Sequence, residues 1–428
     1  MIKTYKYGEV PNETLFIRSL LFQDVEATVS EIIEEVRKNG DSALKLFTKK
    51  FDGADLDSLI VSDEEIETAW NSISDKYKAV LQQAYENIKE YHSQQIKPGF
   101  VLTRPDGVVL GQKITPIAKV GLYVPNGTAA YPSSVIMNCV PAKLAGCEEL
   151  VITTPPSKDG SVDAGILAAA KVCGVNKIIK VGGAQAVAAL AYGTDSVPKV
   201  DKIVGPGNAY VAEAKKQVFG KVAIDTVAGP SEVLIVADDN NDPVIIAADM
   251  LAQAEHDVMA TSVLVTNSTR LAAEVSQELE KQLAVLPREK IARASIDNNG
   301  KIVIVDDLSD GIKCANEIAP EHLELCVDEP FSYLGKIKNA GSIFLGRNAP
   351  EALGDYMAGP NHTLPTTGTA MFGSPLSVDD FVKKSQYTYY SEEALKNISE
   401  SIELFAEEEG LQGHSNSIKV RFRGDINE

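Results

Sequence analysis

The chain has 428 residues, with 41 Lys or Arg against 60 Asp or Glu, a formal charge of −19. That length exceeds one ordinary core and predicts roughly two to three domains. The acidic balance, without any basic run that could follow a phosphate backbone, excludes nucleic acid and an anionic membrane as natural partners.

The opening M-I-K-T-Y-K-Y-G-E-V has no apolar core of a leader and no small-residue cleavage site, and no later segment is an unbroken apolar span. A cytoplasmic protein is expected. Cys139, Cys147, Cys173, Cys314 and Cys326 are odd in number and lack metal-type spacing, so they read as reduced, mostly buried thiols.

In chain order, residues 1–22 read as an N-terminal arm. In V-E-A-T-V-S-E-I-I-E-E-V-R-K-N-G, residues Val25, Val29, Ile32, Ile33 and Val36 recur at helical spacing and Gly40 supplies the stop. Ser62 and Glu65, three apart in S-D-E-E, form a capping box that opens another helix. From Lys119 the period changes to short apolar runs: V-G-L-Y-V, E-L-V-I-T-T, K-I-I-K-V, D-K-I-V, V-A-I-D and E-V-L-I-V, with helices filling most of the gaps. A second alternation follows with S-V-L-V-T-N-S, K-I-V-I-V-D-D, H-L-E-L-C-V-D and S-I-F-L-G. Repeated βα alternation implies parallel sheets covered on both faces.

The expected fold is therefore α/β: two doubly wound, mainly parallel-sheet domains of incomplete Rossmann-like type, with small N-terminal and C-terminal helical modules. The expected boundaries are a discontinuous domain at 23–118 and 238–376, an inserted domain at 119–237, and a C-terminal module at 377–428. The Gly-, Pro- and Thr-rich stretch after Gly346 is too long for an idle loop in a compact protein.

Chemistry gathers in a few places. In P-V-I-I-A-A-D-M-L-A-Q-A-E-H-D, Asp242 can cap a helix with Pro243 in its first turn. Gln253 and His256 then share one face near its end, as two ligands of one metal would; glutamine is a weak zinc ligand, so spacing alone is only suggestive. Asp355 and His414 could supply the remaining donors, although Gly354-Asp355 also reads as a simple turn. No G-x-G-x-x-G fingerprint is present. Instead K-I-I-K-V runs into G-G-A-Q-A, and D-K-I-V into G-P-G-N-A-Y, each placing open backbone N–H groups at a helix start. Either alone could be a tight turn; two on neighbouring parallel strands argue for a ligand crevice. In A-P-E-H-L-E-L, Glu321 and His322 sit side by side, which gives them separate jobs or marks a bend, since neighbours in a strand face opposite ways.

These motifs together resemble the histidinol dehydrogenase family over essentially the whole chain. The resemblance is carried, in order, by G-L-Y-V-P, V-G-G-A-Q-A, F-G-K-V-A-I-D-T-V-A-G-P-S-E-V-L, A-Q-A-E-H-D, A-P-E-H-L-E-L, P-E-A-L-G-D-Y, A-G-P-N-H-T-L-P-T-T-G-T-A and E-G-L-Q-G-H. It implies a zinc- and NAD-dependent oxidation of L-histidinol to L-histidine by a homodimer whose C-terminal modules complete each other's sites. It further implies Gln253, His256, Asp355 and His414 as zinc ligands and Glu321 and His322 as the catalytic pair. Ser231, Glu351, His362 and Glu409 match substrate-contacting positions alongside the ligands and His322, and Tyr123, Gln185 and Asn208 match NAD-binding ones. Met371 stands where the family more often has arginine, outside every site motif. Two rival readings remain at this point: a zinc hydrolase acting on a small amide or ester, which leaves the glycine loops unexplained, and a non-catalytic two-lobed binding protein.

Overall fold

The computed structural model describes residues 2–11, 14–15, 25–126 and 130–422. They divide into two units, Met1–Ile96 with Ile117–Phe381, and Lys97–Pro116 with Val382–Glu428. Strand β1 (Lys3–Lys6) opens the chain, and β2 (Phe100–Thr103) and β3 (Val109–Pro116) follow the N-terminal helices. Next come β4 (Lys119–Tyr123), β5 (Glu149–Thr153), β6 (Ile178–Ile179), β7 (Lys202–Val204) and β8 (Ala223–Ile224), then β9 (Glu232–Ala237), β10 (Thr261–Thr266), β11 (Lys301–Ile304), β12 (His322–Cys326) and β13 (Ser342–Leu345). The last is β14 (Val382–Tyr389).

The first unit holds two parallel sheets, ordered β6-β5-β4-β7-β8 and β1-β11-β10-β9-β12-β13. Every residue of E-V-L-I-V-A in β9 and T-S-V-L-V-T in β10 is buried. That is the continuous apolar run of a strand with helices on both faces. Around the first sheet, Val29, Ile32, Ile33 and Val36 pack with Ile179, Val187 and Leu190 on one face, while Leu81 and Ile88 pack with Val120 and Leu122 on the other. Each such aliphatic side chain contributes about 1.5–3 kcal/mol on burial.

This packing groups the N-terminal helices with the first sheet, whereas the sequence reading set residues 23–118 with the second. Likewise β9, read at the end of the first alternation, lies in the middle of the second sheet. The reason is physical in both cases. An apolar helix face records that it is buried and not what buries it, and the connection Asp225–Ser231 carries the chain from one sheet to the other.

The capping box at Ser62 and Glu65 is formed, and Asp242 accepts the Val244 N–H ahead of the helix Pro243–Ala254. The second unit combines a three-stranded antiparallel sheet, β14-β3-β2, with the helices Glu392–Glu408 and Gln412–Lys419. The strand component was not expected. Its hairpin turns at Pro105-Asp106-Gly107, where Gly107 has φ +83° and the Arg104 N–H donates to the Val108 carbonyl.

Candidate active site

The helix Leu308–Ile318 ends at Ala319, which adopts φ +52°, and β12 begins three residues later. The bend that the Glu321-His322 pair requires is therefore made at Ala319, one residue before Pro320. Its effect is that two neighbours reach the same group. Glu321 Oε2 accepts the Glu232 N–H at 2.9 Å, and His322 Nδ1 lies 3.0 Å from the Glu232 carbonyl oxygen. A carbonyl oxygen only accepts, so Nδ1 carries the hydrogen and Nε2 keeps the lone pair. Both side chains are buried.

Burial shapes their protonation. It pushes the His322 imidazole down to about 4, despite the opposing pull of the Asp355 carboxylate, so the ring is neutral at physiological pH. Burial raises the Glu321 carboxyl well above its usual range, with the Asp355 charge adding to the effect. Glu351 is raised in the same direction by burial and by Asp355, Glu324 and Glu321.

Gln253 lies in the last turn of the helix Pro243–Ala254 and His256 in the turn just past its end, not on the helix face as expected, while Glu351 and Asp355 share the short helix Glu351–Tyr356. His256, Glu351 and Asp355 each offer a ligand atom, all within 4.8 Å of one another. His256 Nε2 stands 4.0 Å from Asp355 Oδ2, and His362 Nδ1 is 3.6 Å from Asp355 Oδ1. Burial works against an ionised Asp355, but the neighbouring His362, with His322 and His256 adding, holds the carboxyl below its ordinary value. With its amide nitrogen turned toward Glu351, Gln253 reaches both carboxylate oxygens at 3.1 Å. Imidazole and carboxylate donors converging on one point suit zinc or a similar divalent ion.

His322, Asp355 and His362 also line a cavity of about 270 Å³ together with Ser342, Phe344 and Leu364. Ser231 immediately precedes β9 and the Glu232 anchor. Glu409 and His414 lie in the second unit, both exposed, at the end of the helix Glu392–Glu408 and within Gln412–Lys419.

The glycine turns follow β6 and β7, which are parallel but not the neighbours expected, because β5 and β4 lie between them. The Tyr123 hydroxyl accepts the Gly183 N–H at 3.1 Å, and Gln185 is buried in the helix Gly183–Tyr192 that starts there. Asn208 caps the helix Ala209–Val218, its Oδ1 accepting from the Tyr210 and Val211 N–H groups. All five cysteines are free thiols. Burial raises Cys147 to about 11 and Cys314 to about 12, and lifts Cys139 and Cys326 as well, so none of these four is an activated thiolate.

Two supporting residues were missed. Glu324 Oε1 accepts the Glu351 N–H at 2.7 Å, and Ser134 Oγ lies 3.1 Å from His362 Nε2. A carboxylate inside the apolar run H-L-E-L-C was a legible sign for Glu324; nothing in the sequence marked Ser134.

The family model for histidinol dehydrogenase matches residues 18–422. A histidinol dehydrogenase of Clostridium acetobutylicum is 55% identical over 400 residues, covering 94% of this chain and 93% of that protein. One from Bacillus cereus is 53% identical over 404 residues, covering 94% of each chain. The crystal structure of histidinol dehydrogenase from Elizabethkingia anophelis superimposes with a TM-score of 0.93 at 36% identity, over 99% of this chain and 98% of that one.

Proposed function

This chain belongs to the histidinol dehydrogenase family, and from that premise we propose how its residues divide the NAD-dependent oxidation of L-histidinol to L-histidine. The zinc hydrolase reading finds no support among the relatives, and it leaves the two glycine turns without a purpose.

Oxidising an alcohol to an acid removes two hydrides and adds one water. NAD, when bound beside Tyr123, Gln185 and Asn208, supplies the acceptor for both hydrides. Zinc, when held by Gln253, His256, Asp355 and His414, supplies a Lewis-acidic anchor for the nitrogens of the amino alcohol. The converging donors of His256, Asp355 and Glu351 support such a centre. Ser231, Glu351, His362 and Glu409 then surround the substrate.

In the first oxidation His322 Nε2 takes the hydroxyl proton as hydride leaves the carbon, giving the aldehyde. Glu321 next takes a proton from water as it adds to the aldehyde, and the imidazolium returns its proton to the former carbonyl oxygen. His322 deprotonates the resulting hydrate as the second hydride leaves, giving the acid. A carboxyl raised above its ordinary value is the stronger base once ionised, which suits Glu321 to the water step. No thioester is required, in keeping with the raised thiols of Cys139, Cys147, Cys314 and Cys326.

We further propose that the protein is a homodimer in which the C-terminal module of each protomer brings Glu409 and His414 to its partner. Their exposure at the end of a separate unit leaves them available for that role.

The observation that carries the reading is the His322 imidazole, neutral and fixed through Nδ1, beside a three-donor cluster. Its test is growth of NADH absorbance when the protein receives histidinol and NAD, with two NADH formed per histidinol. Absence of NADH with metal-replete protein would overturn the reading.

A further inference from the structure

Two buried charges lie beneath the second glycine turn. Lys215, in the helix Ala209–Val218, and Asp225, directly after β8, have side chains only 2% and 3% exposed, and they form an ion pair. Each also bonds the same residue. The Gly205 N–H donates to Asp225 Oδ2 at 2.7 Å, and Lys215 Nζ donates to the Gly205 carbonyl at 3.1 Å. One residue is thus held at both of its polar ends.

Gly205 has no side chain of its own to hold it. Its φ is +115°, and a Cβ there would lie 2.1 Å from the Tyr123 carbonyl oxygen, so no side chain could be added to anchor the turn. Tyr123 in turn holds the other glycine turn through its hydroxyl and the Gly183 N–H. The chain Lys215–Asp225, Gly205, Tyr123, Gly183 therefore links the two turns, and Asn208 begins its helix three residues beyond Gly205. A desolvated ion pair is a poor source of net stability, and its placement here indicates a different use.

We propose that Lys215 and Asp225 are positioning residues for the nucleotide side of the site. By fixing Gly205 against Tyr123 they set the spacing of the two glycine turns and hence the affinity for NAD, while the amino-alcohol side is untouched. The inference rests on Tyr123, Gln185 and Asn208 being the NAD contacts.

The test uses the full-length, metal-replete enzyme, with NAD binding measured by titration calorimetry alongside steady-state kinetics. Lys215→Met keeps the stem and removes the ammonium. The double variant Lys215→Met/Asp225→Asn removes both charges and keeps an acceptor for the Gly205 N–H. Lys215→Met should raise the NAD Kd and KM by about tenfold or more, with histidinol KM changing less than about twofold and kcat at saturating NAD less than about threefold. The double variant should regain melting temperature yet keep the NAD defect, because the Gly205 carbonyl still lacks its donor. Unchanged NAD affinity in either folded variant overturns the proposal, as does an NAD defect that disappears once the melting temperature is regained. If Lys215→Met fails to fold, the double variant decides alone. Failure of the underlying reading shows separately, as NAD affinity that is indifferent to Gln185→Ala and Asn208→Ala.

Discussion

His322 and Glu232 share a hydrogen bond of 3.0 Å from imidazole Nδ1 to backbone carbonyl, and this contact fixes which ring nitrogen can act as a base. Because the acceptor belongs to the main chain of β9, no single side-chain loss can undo it. Glu321 accepts the N–H of the same residue, so the proposed acid–base pair is tied directly to the sheet.

Changing Glu321 to Gln should slow the aldehyde-to-acid half of the reaction more than the alcohol half. The carboxylate is assigned to the water, whereas His322 serves both oxidations. Supplying histidinal directly and comparing single-turnover rates checks this; equal slowing of both halves would refute the division of labour.

Replacing His256 or Asp355 with Ala should strip about one metal ion per chain and abolish turnover, since a site that loses one of roughly four ligands becomes open and weak. Metal analysis of the purified variants is the measurement. Full metal content in both would remove these residues from the ligand set.

Mixing His322→Ala with His414→Ala through unfolding and reassembly should restore about a quarter of wild-type activity if the sites are shared between protomers, because random pairing of equal amounts makes half of the dimers mixed, each with one intact site. If His414 serves its own chain, the mixture should stay as inactive as the separate variants.

Lys301 gives a pH-dependent stability signature away from the site. Burial, with the Lys3 charge adding, pushes its ammonium down to about 8 from 10.5, and Nζ donates to the Asn299 carbonyl at 2.7 Å. Between those two values the unfolded chain binds more protons than the folded one, so stability rises with pH, by up to roughly 3 kcal/mol for this group. Below about pH 8 the destabilisation is fully present. Lys301→Met should therefore be more stable than the parent at pH 7 and lose that advantage toward pH 10.5, read as the difference in urea midpoints. A difference that does not vary with pH would show that Lys301 is not the titrating group.

The βα alternation was legible because apolar runs such as E-V-L-I-V-A can be buried on both faces only in a covered parallel sheet. Partnership between distant pieces was not. Nothing local in Val29 or Ile33 says that their helix covers the first sheet. Strand β14 reads V-K-K-S-Q-Y-T-Y, mostly exposed, so it lacks the apolar run that reveals a core strand, and its partners lie far earlier in the chain. The Pro105-Asp106-Gly107 turn was the available clue to that sheet. For the site, residue types and spacing brought Gln253 together with His256, although His256 falls in the turn just past the helix and not on its face. Convergence of Asp355 and Glu351 on them depends on a fold that spacing cannot supply. The Nδ1 tautomer of His322 depends on a backbone carbonyl ninety residues away, and that has no signature in sequence at all.

Strand β1 occupies one edge of the second sheet and pairs in parallel with β11, Lys3 beside Lys301. During synthesis β1 must therefore wait until β11 has been made before it has this neighbour. Contacts so distant along the chain form late and slowly. Until then β11 presents an open row of N–H and C=O groups that another molecule's strand could occupy. Strand β1 is itself an edge, but it is only four residues long and carries Lys3 and Lys6, so it leaves the sheet a shorter and more charged border than β11 alone would.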